Sequence, residues 1–109
     1  MGVQTVPGRR VTFATFAEFY PYYLSEHRNR ICRRLHFTGS LLVIAAIVAA
    51  IVTGEAWWLV VAPVDGYGLA WIGHFFFEKN RPATFGHPWY SLVGDWVMFR
   101  DLLAGKLPF

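Results

Sequence analysis

The spacing of apolar residues changes several times along this chain, and each change marks an element. Phe16, Tyr20, Leu24, His27 and Ile31 recur at three- and four-residue spacing from Phe13 onward, the period of one helix face. Thr15 and Glu18 stand as a capping box at its start. Arg28, Asn29 and Arg33 fall on the other face, so the spacing predicts an amphipathic helix lying at an interface. Pro21 is predicted to kink that helix or restart it near Tyr20. Phe37 to Thr53 then carries 17 residues without a charge, about 26 Å as a helix and just enough to cross a bilayer core. After a short turn at Gly54 and Glu55, Ala56 to Phe77 adds 22 mostly apolar residues. The two segments read as a transmembrane hairpin.

The second segment departs from a plain lipid-facing anchor. It contains Pro63, Asp65, Gly66, Gly68, Gly73 and His74, and Asp65 near its middle is costly unless it faces protein or a water-filled cavity. Gly66 and Gly68 lack the rest of a dinucleotide fingerprint and fit close helix packing. Lys79 to Pro88 is a polar loop with two prolines. Trp89 to Leu103 has an apolar face opposite Asp95, Arg100 and Asp101, and forms either a half-buried third helix or an interfacial one. The predicted fold is therefore all-α: a small helical integral membrane protein with an amphipathic N-terminal helix, a transmembrane hairpin and a C-terminal half-buried helix. Residues 1–12 read as a flexible tail and 13–109 as a single helical membrane domain.

Composition supports this. The chain has 109 residues, room for one domain, and only 16% of them are charged against about 25% in an average soluble domain. Six of its ten basic residues lie between Arg9 and Arg34, and beside such apolar segments they point to an anionic membrane surface and away from nucleic acid. The turn at Thr53 to Glu55 has no Lys or Arg, whereas basic residues flank the other ends. By the positive-inside rule both termini face the cytoplasm, from the inner membrane if the cell is bacterial. No apolar stretch follows the first ten residues, so no cleaved secretory signal is expected. Cys32 is the single cysteine, which excludes an internal disulfide and a multi-cysteine zinc site and fits packing better than ligation.

Four histidines, His27, His36, His74 and His87, fall at or near the predicted cytoplasmic boundary. Imidazole binds Fe, Cu, Zn and Ni, and several convergent imidazoles with a carboxylate make a common metal site. His74 and Glu78, four apart, share a face of a helix. Histidines also gather at interfaces simply for solvation. His27 and His36 are nine apart and point to opposite sides of a straight helix. Either the helix breaks between them, although Arg28 to Leu35 holds no Gly or Pro, or they serve different roles.

The run Gly73-His74-Phe75-Phe76-Phe77-Glu78-Lys79-Asn80-Arg81-Pro82-Ala83, preceded by His27 and His36, resembles the 2-hydroxy fatty acid dioxygenase family over about Phe13 to Leu103, in a short, single-hairpin form. The resemblance implies an Fe(2+)-dependent enzyme that uses O2 to shorten 2-hydroxy fatty acids by one carbon at a membrane interface, the process of fatty acid α-oxidation. It implies His27, His36 and His74 as metal ligands, with His87 as a further candidate and Glu78 as a catalytic carboxylate. Arg34, Lys79 or Arg81 would orient the substrate carboxylate. Membrane lipid is the implied surroundings, and a homo-oligomer is compatible with it. The other class left open is a non-catalytic membrane protein that binds lipid or a structural metal through its histidines. A haem protein with two histidine ligands is a third.

Overall fold

The computed structural model describes residues 12–109; the expected tail, apart from Thr12, lies outside the described residues. Every described element is helical: α1 spans Phe16–Ser25, α2 Arg30–Thr53, α3 Trp58–Ile72 and α4 Pro88–Leu103. α3 continues as a π-helical segment over Gly73–Glu78, and a short 3-10 turn at Ala83–Phe85 leads into α4.

The capping box forms at the start of α1. Thr15 Oγ1 accepts the Glu18 N–H at 3.2 Å, and the Glu18 carboxylate accepts the Ala14 N–H at 3.3 Å. α1 then runs through Pro21 without restarting. Proline removes one backbone hydrogen bond, but Phe19 and Tyr23 on either side of it are fully buried, each contributing about 1.5–3 kcal/mol. Against them pack Met98 and Leu102 of α4 and Ala83 of the 3-10 turn, forming the core. α4 is thus half-buried, and its close approach to α1 falls at Gly94, where a Cβ would stand 2.9 Å from the Tyr23 ring.

α2 ends at Gly54, whose φ of 74° gives a left-handed cap and whose N–H bonds Ala50 O at 2.9 Å. The chain returns along α2 as α3. Gly39 faces Gly66, and a Cβ on Gly66 would come 3.0 Å from Val43 Cγ2, so small residues let the two backbones close. Gly68 has open space beside it and takes no part in this contact. The approach is tightest at the far end, where a Cβ on Gly73 would lie 2.9 Å from Cys32 Sγ and 3.2 Å from Cys32 Cα.

Arg30–Thr53 and Trp58–Glu78 are long and apolar enough to cross a bilayer. Their outer faces are open: Ile51 is 77% exposed, Val52 78%, Val60 65% and Phe76 68%. A contiguous apolar surface of this kind is unusual on a soluble monomer. Asp65 is partly buried on α3.

Candidate metal centre

The site begins at the break between α1 and α2. The chain leaves α1 at Ser25 and re-enters a helix at Arg30, and Asn29 caps the new helix, its side-chain oxygen accepting the N–H of Ile31 at 2.9 Å and of Cys32 at 3.1 Å. The Glu78 carboxylate accepts the Asn29 backbone N–H from the end of the π-helical segment. Arg33 Nε holds the His27 carbonyl at 2.6 Å. These contacts stabilise a bend that contains neither Gly nor Pro. Of the two alternatives for His27 and His36, the break is the one observed.

His27, on the bend, His36, near the start of α2, and His74, on the π-helical segment, converge. They are 1%, 6% and 2% exposed, and one nitrogen from each lies within 4.8 Å of the others. The rings stand nearly perpendicular, with centroids 4.4 to 5.0 Å apart. A π-helical segment inside a helix is rare and recurs at functional sites; here it carries His74.

The outer hydrogen bonds fix which nitrogen faces inward. His27 Nδ1 lies 2.6 Å from Tyr23 O, and His36 Nδ1 lies 2.8 Å from Cys32 O. A carbonyl only accepts, so both Nδ1 atoms carry the proton. His74 Nδ1 lies 2.7 Å from Asn80 Oδ1, while Asn80 Nδ2 donates to Glu26 O at 3.1 Å. The amide oxygen therefore faces His74, and Nδ1 donates again. All three Nε2 atoms are left with lone pairs, and those of His27 and His36 approach to 3.1 Å. Burial first, and then the neighbouring His36 and His74, hold His27 well below the ordinary histidine pKa, so its imidazole is neutral.

Two lone pairs facing each other repel unless an electrophile lies between them, and three neutral imidazoles suit a divalent transition metal. The cavity among them measures about 10 Å³ and is also lined by Tyr23, Ser91 and Asp95, roughly the room one ion or water needs. Ser91 Oγ, buried on this wall, has no hydrogen-bond partner among the described residues, an exception to the rule that buried hydroxyls are paired. The donor set therefore fits a metal ion with an oxygen ligand beside it.

The remaining candidates lie elsewhere. His87 precedes α4 with its ring against Phe13, Phe19 and Tyr22, apart from the three-histidine group. Glu78 bonds Asn29. Arg34 donates to Phe109 O at 3.1 Å and stacks on its ring, Arg81 lies over Phe85, and Lys79 ends the π-helical segment with φ 61°. Cys32 Sγ sits on the Nδ1 side of His36, at 3.6 Å, which suits packing. Sequence reasoning gave no role to Asn80, Ser91 or Tyr23. Only Asn80 carried a signal, as a polar residue inside the run that includes His74.

Asn80 makes the first prediction. Asn80→Ala removes the acceptor that orients His74, and outer partners of this kind are typically worth about 10–100-fold in metal affinity. Competitive chelator titration is expected to show a loss in that range, with helix content by circular dichroism unchanged.

The sequence matches the family model Mpo1-like, described as 2-hydroxy-palmitic acid dioxygenase Mpo1-like, over residues 13–107. Neither the curated proteins nor the solved structures contain a match.

Proposed function

Since the chain belongs to the Mpo1-like family of 2-hydroxy-palmitic acid dioxygenases, we propose that it is an Fe(2+)-dependent dioxygenase that shortens 2-hydroxy fatty acids by one carbon at a membrane interface. The observation that carries this reading is the convergence of three neutral imidazoles with their Nε2 lone pairs turned inward. His27, His36 and His74 would hold ferrous iron, which when bound would supply the activation of O2 and of the 2-hydroxy acid. The overall chemistry balances without an outside reductant. A 2-hydroxy acid and O2 yield the acid one carbon shorter, CO2 and water, the bond between C1 and C2 breaking while O2 takes up four electrons.

The chain's own residues position these parts. The Tyr23 and Cys32 carbonyls and Asn80 hold the three imidazoles in one tautomer. Glu78, through Asn29, holds the bend that lets His27 meet His36, which makes it a positioning residue in this reading. For the substrate carboxylate, Arg81 is the favoured cation among Arg34, Lys79 and Arg81, because it borders a cleft with Glu26, Pro82 and Ala83, and Glu26 already contacts Asn80.

The test is elemental analysis of detergent-purified protein, then incubation with a 2-hydroxy fatty acid under air and mass analysis of the lipid. Bound iron with an acid one carbon shorter is expected. Bound metal without that product would leave a metal-binding membrane protein that is not this enzyme.

The proposed topology places both chain ends in the cytoplasm and the Gly54 turn on the far side. Glu55→Cys is the better probe, since Gly54 needs its positive φ and the native Cys32 is buried. In intact cells an impermeant thiol reagent is expected to label Glu55→Cys from outside. Labelling only after the membrane is opened would reverse the orientation.

A further inference from the structure

A second cavity, of about 220 Å³, lies between α2, α3 and α4. Four residues, His36, Tyr67, Ala70 and Asp95, line both it and the small cavity of the three histidines, so the two share a wall. From that wall the larger cavity runs away from the histidines, along Ser40 and Val43 of α2 and along Gly66 and Ala62 of α3, with Trp96 of α4 on its third side. Beyond Ser40 these walls are apolar. Tyr67 and Leu92, 37% and 39% exposed, also line it and reach the surface.

We propose that this cavity seats the head-proximal stretch of the substrate's alkyl chain, with Ala62 and Val43 limiting how far it fills. This rests on the reading that the substrate is a 2-hydroxy fatty acid. Charge sets the direction. Among the described residues no Lys or Arg lines the cavity, and the one carboxyl group on its wall, Asp95, stands at the shared wall, so a carboxylate has no counter-ion from them inside and an alkyl chain needs none. The head group therefore stays by the histidines and the chain enters. At about 220 Å³ against about 10 Å³ for the histidine cavity, the larger cavity has room for several methylenes. The rest of a long chain leaves past Tyr67 and Leu92 toward the exposed apolar faces of α3 and α4.

The test uses the full-length, iron-loaded protein in micelles and two photoreactive fatty acids, one with a diazirine near its head and one near its terminus. The head-proximal probe is expected to label Val43, Ala62 or Trp96, and Ala62→Phe, which fills the cavity, is expected to cut that labelling about tenfold at unchanged iron content. Labelling confined to outward positions such as Ile51, Val60 and Phe76 with both probes would overturn the proposal. Turnover gives an independent arm: Ala62→Phe is expected to lower kcat/KM at least about tenfold for a long-chain 2-hydroxy acid and to spare a short one of a few carbons, whereas equal loss on both also overturns it. Cross-linking requires no reaction. Absent turnover with cavity labelling intact would therefore defeat the enzyme assignment and leave the chain seat standing. If Ala62→Phe fails to fold, Val43→Phe serves in its place, from the opposite wall.

Discussion

Replacing any one of His27, His36 or His74 with alanine is expected to remove bound metal and turnover together. Each supplies one of three ring nitrogens gathered within 4.8 Å, and no other His, Cys, Asp or Glu joins them as a metal-capable group among the described residues. Losing one donor of three leaves a weak bidentate site, so affinity is expected to fall well beyond the roughly 100-fold that marks loss of an outer partner. Arg28→Ala, whose side chain lies outside the group, is expected to keep its metal. His87→Ala separates two accounts of the site. Its ring packs against Phe13, Phe19 and Tyr22, so the variant is expected to keep full metal occupancy. Loss of metal on His87→Ala would make it a fourth ligand and would require the segment before α4 to move inward. Metal content, by elemental analysis on folded protein, decides each case.

As the pH rises from about 4 to 8, Asp95→Asn is expected to gain stability relative to the wild type, a difference between the two proteins that cancels the opposite titration of the buried His27. Burial pushes the Asp95 carboxyl from 3.8 up to about 7, against the Tyr23 hydroxyl, which donates to it and favours the charged form. The folded state then holds a proton that the unfolded chain releases. The contribution of this group to stability is greatest below the unfolded value of 3.8 and is lost as the pH climbs through about 7. At about 1.4 kcal/mol per pKa unit the full effect is roughly 4–5 kcal/mol, and solvent reaching this partly exposed group brings it lower. Thermal unfolding in detergent across that window is the measurement. A Tm difference between wild type and Asp95→Asn that stays constant across the window would mean that Asp95 is already charged at neutral pH.

Much of the fold was legible because the forces that set it act over a few residues. The capping box of Thr15 and Glu18, the uncharged run ending at Gly54 and the apolar return segment each declare themselves within a turn or two of helix. Of the kink or restart expected at Pro21, the restart did not occur, since one missing hydrogen bond is a small loss beside the burial of Phe19 and Tyr23. The break that mattered, at residues 26–29, carried only Asn29 as a local sign. Of its other supports, Arg33 holds the His27 carbonyl and Glu78 is 49 residues away from Asn29 in sequence.

The sequence by itself determined the all-helical class, the two long apolar helices and the supply of histidines. Periodicity, end caps and charge distribution are local properties and can be counted along the chain. Only the tertiary structure decided which histidines meet and which nitrogen each turns inward. That outcome depends on how closely α2 and α3 approach at Gly73 and Cys32, on the π-helical segment that aims His74, and on Asn80 reaching Glu26 across 54 residues. Such contacts join side chains brought together by packing, and no spacing along the chain encodes them. The same reason explains why His87, alike in residue type and predicted depth, lies among aromatic rings outside the group.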